Sequence, residues 1–232
     1  MKIVRRVLQE FRNFLFEVRA RTSSIKDHVQ YDTPFVCQFA KPEHAELSLK
    51  KELSPRDDPH WADTGATSAE RYAEWAFTMC GMASAAMALG YFHGKNLKPA
   101  EMAEDALKAG VYRNESDGLS GMRFREFSNW VKKHGLKAEV YTRLSIKGIQ
   151  YALSEGKLVM VSVNPNVRGY RTAPEKQKGG HLVLVTGYDP NTISINNPSG
   201  FVSTATQVNH RLTLEEFRHY YAGRGILLSP TK

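Results

Sequence analysis

A cysteine and a histidine, each flanked by glycine, stand at positions where a thiol and an imidazole could do chemistry together. The segment Trp75-Ala-Phe-Thr-Met-Cys80-Gly81-Met-Ala-Ser-Ala-Ala-Met87-Ala-Leu89 puts Cys80 at the mouth of an apolar helix. Unpaired N–H groups and partial positive charge at a helix N-terminus favour thiolate over thiol, so Cys80 is expected to titrate below the usual value of about 8.5. Gly81 permits close backbone approach, and the N–H of Cys80 itself could face a developing oxyanion. On this segment alone a small buried apolar cysteine reads as well as a nucleophile.

The second element is Gly179-Gly180-His181-Leu-Val-Leu-Val-Thr-Gly187-Tyr-Asp. It sets His181 at the first position of a very apolar strand, with two glycines that leave its ring open to a cleft. Sixteen residues on, Ile193-Ser-Ile-Asn-Asn197-Pro198-Ser-Gly200 ends the neighbouring strand of a hairpin whose turn is Asp189-Pro190-Asn191. Antiparallel return brings Asn197 beside His181, where its amide oxygen could accept the imidazole N–H and hold the ring toward sulfur. A plain Asn-Pro turn is the other reading, and Asn196, facing the opposite side of the strand, is the rival residue.

These residues need elements to hold them. Lys2 to Ala20 reads as an amphipathic helix, with Val4, Val7, Leu8, Phe11, Leu15 and Val18 at three- and four-residue steps. Residues 35–39 read as a short extended segment. Helices are expected over 42–51, 68–77 (opened by a capping box at Thr67 and Glu70), 78–91, 99–109, 122–134 and 146–153. Strands are expected over 139–143, 158–163, 181–186, 192–195 and 225–228, with a short helix over 214–221 between the last two. Helices first and strands last predict an α+β fold, a helical layer packed on an antiparallel β-sheet.

Composition narrows the function classes. At 232 residues, 41% hydrophobic and 24% charged, the chain can bury one substantial core. Cys37 and Cys80 cannot build a disulfide framework and have no zinc-type spacing with histidine, so neither a metal nor a cofactor is expected. Charged residues interrupt the first twenty positions, and the apolar run at 81–92 is too short to span a bilayer. A cytoplasmic location with no membrane span is therefore expected. Residues 1–26 carry seven bases and two acids, a net +5, and residues 27–79 carry five bases and ten acids, a net −5. The remaining +8 lies on residues 80–232, a basic body suited to an acidic substrate, while no base-reading motif points to nucleic acid. The loop 164–180, with Arg168, Arg171, Lys176 and Lys178 against Glu175, leads into His181 and is expected to border the cleft.

The C-G-x-A-S-x-x-M-x-L helix, the G-H-x-V-x-V-T-G-Y-D strand and the N-P-x-G ending, in that order, resemble the bacteriocin-leader (double-glycine) peptidases and their stand-alone bacterial relatives, which are papain-like cysteine peptidases. The resemblance spans roughly residues 32–228. It implies a Cys80 thiolate, a His181 base and a third residue at Asn197, where these peptidases more often have aspartate. It also implies an oxyanion-hole glutamine upstream of the cysteine. Asp32-Thr-Pro34-Phe-Val-Cys-Gln38 looks like that segment, whereas the position six residues before the cysteine holds Glu74, which when ionised has no proton to donate. Gln38 is favoured, with 39–74 as an insertion.

The expected organisation is an N-terminal basic amphipathic helix over 1–26 and a papain-like catalytic domain over 27–232. The expected catalytic residues are Cys80, His181, Asn197 and Gln38, with Trp75, Gly81, Gly180, Arg168 and Arg171 on the substrate side. The expected partners are a peptide or acyl substrate, acidic in character, and a second copy of the chain through the N-terminal helix. Three functions fit: a peptidase acting through a Cys80 acyl-enzyme, an acyl transferase or ligase using the same residues, and a non-catalytic peptide-binding module.

Overall fold

A computed structural model describes residues 2–116, 118–169 and 178–231. The chain opens with helix α1 (Lys2–Thr22) and a two-residue strand β1 (Val29–Gln30), followed by helices α2 (His44–Leu49), α3 (Ala69–Ala76), α4 (Cys80–His93) and α5 (Pro99–Lys108). A small hairpin, β2 (Asn114–Glu115) with β3 (Gly118–Leu119), precedes α6 (Phe124–Lys132), β4 (Leu136–Tyr141) and α7 (Ile146–Ser154). The strands β5 (Leu158–Val163), β6 (His181–Tyr188), β7 (Thr192–Asn196) and β8 (His210–Thr213), helix α8 (Leu214–Tyr220) and strand β9 (Tyr221–Pro230) complete the chain.

The main sheet runs β4-β9-β5-β6-β7-β8, with β1 also on β6, and every pairing in it is antiparallel. Its central strands are apolar without a break because both faces are covered. Leu158, Met160, Leu182, Leu184 and Ile226 point into one core with the α3–α6 side of the molecule. Their alternate neighbours Val159, Val161, Val163, Val183 and Val185 point into a second core with α7 and Phe217 of α8. Period-two alternation thus feeds two helical layers from one run of residues. Each fully buried side chain of this kind contributes roughly 1.5–3 kcal/mol. The α+β fold with helices on an antiparallel sheet is the one expected, with a second helical layer added.

Helix α4 is apolar almost all round because the sheet and neighbouring helices enclose it. Met82, Ala83, Ala85, Ala86, Met87 and Leu89 are all buried, and the small residues let it lie close on β6, where Ser84 Oγ donates to Leu182 O at 3.5 Å. Its N-terminus therefore ends at the start of β6.

Several local expectations change. Residues 35–39 form no strand. Helix α3 is capped by Ser68, whose side chain accepts from Arg71 N, one residue later than Thr67. The capping box that does form lies at Thr213 and Glu216, opening α8. The expected strand at 139–143 is β4, shifted toward the N-terminus.

Candidate active site

The close packing of α4 on β6 decides where the thiol and the imidazole meet. Cys80 is the first residue of α4, and its Sγ donates weakly to Thr78 O at 4.0 Å. His181 opens β6 opposite Val163 of β5. The turn into it uses φ +101° at Gly179 and +100° at Gly180, a region that side chains disfavour. A Cβ at Gly179 would also stand 2.6 Å from Arg224 Nη2.

His181 is 2% exposed, and its Nε2 lies 2.8 Å from Asn197 Oδ1 and 3.1 Å from Ser199 Oγ. Asn197 Oδ1 can only accept, so Nε2 carries the proton and Nδ1 keeps its lone pair. Asn197 is fully buried, and Ser199 N donates to the same Oδ1 at 3.2 Å. Arg168 Nε then donates to Ser199 Oγ at 2.6 Å, so a guanidinium stands one hydroxyl behind the imidazole. Asn196 turns away, its Nδ2 donating to Thr33 O and its Oδ1 accepting from Asn209 N.

Burial holds the His181 imidazole well below its ordinary value. The Arg168 charge adds to that, and the Asn197 hydrogen bond opposes it. Burial also pushes the Cys80 thiol up, against the N–H of Leu182, the Arg168 charge and the N–H groups of Gly81 and Cys80. The direction is opposite to that expected from the helix end alone, because desolvation of a thiolate outweighs the amides around it. Both shifts favour the uncharged forms, a thiol at Cys80 and an imidazole at His181 whose Nδ1 keeps its lone pair.

Cys80, Gly180 and His181 line one cleft of about 290 Å³. Phe77, Leu119, Met122 and Phe124 form an apolar wall, Thr78 and Ser162 add hydroxyls, and Arg224 supplies the one cation among the lining residues. Other expected residues fall elsewhere. Trp75 is fully buried, donating its indole N–H to Glu104 Oε1 at 2.7 Å, and is not part of the cleft wall. Gly81 lies beneath that wall, where a Cβ would come within 2.5 Å of Met122 Sδ. Arg168 sits behind His181, on Ser199. Arg171 lies outside the described residues.

Gln38 is fully buried between the two halves of the site. Its backbone N–H donates to Pro198 O and its Nε2 to Ala76 O, each at 2.8 Å. Glu74 is exposed and paired with Arg71. Cys37 is more than a core filler, because its thiol donates to Pro198 O at 3.3 Å beside Asn197, and burial pushes it up to about 12. Sequence reasoning missed Ser199 and Arg224. The signal for Ser199 was its place two residues past Asn197; nothing local marks Arg224. Among the described residues no three His, Cys, Asp or Glu side chains gather as a metal site, and no single helix is long and apolar enough to cross a membrane.

A model described as the Peptidase_C39 like family matches residues 66–226. The chain belongs to that family. It is an enzyme of the cysteine peptidase type. Among solved structures, a C39-like peptidase from Bacillus anthracis aligns at TM-score 0.53 and 17% identity, over 89% of this chain and all of that one, and shares the fold. The double-glycine motif protease of an AMS/PCAT transporter, solved with its leader peptide, aligns at TM-score 0.44 and 21% identity, over 67% of this chain and 86% of that one. The peptidase domain of Streptococcus ComA aligns at TM-score 0.43 and 20% identity, over 66% and 92%. No curated protein matches the chain.

Within this C39-like chain the two groups behind His181 should act with opposite sign on its titration. Arg168→Met removes a charge that depresses the imidazole, so the acid limb of kcat/KM should move to higher pH. Asn197→Ala removes a bond that raises it, so that limb should move to lower pH. Asn197→Ala should also lower kcat by roughly ten- to a hundredfold, the worth of one hydrogen bond to a charged group. Asn197→Asp should retain activity because it still accepts from Nε2. Shifts in the same direction for Arg168→Met and Asn197→Ala would rule out this assignment of the pair.

Proposed function

We propose that the chain is a peptidase that cleaves an amide bond through a Cys80 acyl-enzyme, with His181 as base, Asn197 as its positioning residue and Gln38 in the oxyanion hole. The observation that carries the proposal is the hydrogen bond of Asn197 to His181 Nε2, which leaves Nδ1 as the free base in the cleft that also holds Cys80.

In this mechanism Nδ1 takes the thiol proton as Sγ attacks the carbonyl carbon. The oxyanion is met by the N–H of Cys80 at the helix end and by the second N–H of the Gln38 carboxamide. The C–N bond breaks as Nδ1–H protonates the departing amine, leaving a thioester on Cys80. Water then gives a proton to Nδ1 and attacks the thioester; Sγ leaves and recovers the proton from Nδ1. Because the imidazole is depressed, Nδ1 stays unprotonated below the pH at which an ordinary histidine would charge.

The cleft wall suggests the substrate class. Phe77, Leu119, Met122 and Phe124 suit an apolar side chain, and among the described residues no acid lines the cleft. Arg224 is exposed at its rim and forms no ion pair among the described residues. A peptide with an apolar residue and a carboxylate near the scissile bond fits both. Arg224→Ala should lower kcat/KM about fivefold for an acidic peptide, the scale of an exposed ion pair, and leave a neutral analogue unchanged. An equal loss on both peptides would remove Arg224 from substrate recognition.

The activity is tested by incubating the protein with a peptide library, double-glycine leader sequences included, and weighing the products. Two fragments whose masses sum to the substrate plus one water support the peptidase. Products joined to an added amine, with no hydrolysis, indicate an acyl transferase. Binding without any product indicates a peptide-binding module.

A further inference from the structure

Helix α1 carries two opposite faces. The inner one docks on the domain: Asn13 and Ala20 are buried, Phe16 packs on Tyr141 and Tyr151 with ring centroids 4.8 and 5.5 Å away, and Gln9 Nε2 donates to Val140 O at 3.0 Å. Glu17 Oε1 accepts from Ser145 N at 2.9 Å, and it can approach because residue 148 is glycine, where a Cβ would stand 2.7 Å from that oxygen.

The outer face is apolar. Val7, Leu8, Phe11, Phe14, Leu15 and Val18 are 41–62% exposed, and they are six of the ten large apolar side chains exposed among the described residues. Isolated exposed apolar residues need no explanation, but a stripe on one helix marks an interaction surface. Its chemistry is also basic. Arg12, Arg19 and Arg21 are exposed, and among the described residues none of them forms an ion pair. The helix has two acids: Glu17 is half-buried against Ser145 N, and Glu10 is exposed, accepting from Thr142 Oγ1.

From this we infer that α1 is an in-plane membrane anchor, its apolar stripe seated in the interface of an anionic bilayer and its arginines on the lipid headgroups. A self-associating pair of such helices would bring two sets of arginines together, with Glu10 the one exposed acid on each helix to meet them. An anionic surface supplies the missing charge, and acyl chains take the stripe. The helix would lie along the surface over about 31 Å, at 1.5 Å per residue for its 21 residues. The protein would work at the membrane face without crossing it.

Flotation of the full chain with phosphatidylcholine vesicles, with and without phosphatidylglycerol, tests the inference. The protein should float with the anionic vesicles, stay behind with the neutral ones, and bind more weakly at 1 M salt, where screening is short-ranged. Phe11→Asp with Leu15→Asp should abolish binding, and Arg12→Gln and Arg19→Gln should each weaken it about fivefold. Near-ultraviolet circular dichroism and peptide turnover should be unchanged in these variants, because the altered side chains are exposed and lie outside the cleft. Absence of binding to anionic vesicles overturns the anchor. If the protein instead forms a concentration-dependent dimer that Phe11→Asp with Leu15→Asp breaks, the stripe belongs to a second copy.

Discussion

Cys80→Ala should leave a folded protein with no measurable turnover. The side chain at 80 is half-buried at the end of α4, on the edge of the first core, and alanine is smaller than cysteine, so the thermal transition should move little. Turnover should disappear because the one other thiol, Cys37, cannot take over. Cys37 is held to Pro198 O and burial pushes it up to about 12, so its thiolate is scarce at every physiological pH. Cys80 is also raised, but amides of Leu182, Gly81 and Cys80 and the Arg168 charge all pull against its burial. Iodoacetamide should therefore label Cys80 ahead of Cys37. The sign of the pH dependence follows from the raised thiol: labelling of Cys80 should climb through the alkaline range, with no plateau on the acid side of neutrality. Peptide mapping of the labelled cysteines measures both. A low-pH plateau would show an ion pair in the resting site, and faster labelling of Cys37 would reverse the two roles.

Gln38→Ala should cost the next largest share of activity. Loss of one side-chain oxyanion donor removes roughly 2.7–4 kcal/mol of transition-state stabilisation, about a hundred- to a thousandfold in kcat. KM should change little, because the bond is made mainly to the charged intermediate. Gln38 is fully buried and is not among the residues lining the cleft; it is anchored by its backbone to Pro198, beside Asn197, and by its side chain to Ala76, four residues before Cys80. The substitution also leaves Ala76 O without that donor, so a thermal melt is needed alongside the kinetics. Loss of kcat with the melting temperature within a few degrees supports an oxyanion role, whereas proportionate loss of both marks Gln38 as a brace. Glu74→Gln, on an exposed side chain paired with Arg71, should be silent.

The strands bearing His181 and Asn197 were legible because local pattern is enough to place them: an apolar run opened by two glycines, an Asp-Pro-Asn turn, and a return strand ending at Asn-Pro. Cys80 was legible for the same reason, as the first residue of a helix apolar on every side. The family resemblance supplied Gln38, which no local pattern singles out. What stayed hidden depends on distant parts of the chain. Arg224 lies on β9 and reaches the cleft only through the pairing of β9 with β5. Trp75, three residues past Tyr72, looked available to substrate but turns inward to Glu104 on α5. The direction of the Cys80 shift was missed because a helix terminus can be read from sequence, whereas the depth of burial around it cannot. Strands of two residues, such as β1 and β3, carry too little pattern to be seen at all.

Trapping the acyl-enzyme is the most direct measurement. The protein is mixed with an excess of an activated ester of a short peptide, quenched in acid within the first turnover, and weighed intact before proteolytic mapping. The account predicts one added acyl mass, carried by the peptide containing Cys80, absent from Cys80→Ala, and accumulating more slowly in Asn197→Ala. An acyl group on Cys37, or turnover of the ester with no adduct on either cysteine, would contradict it.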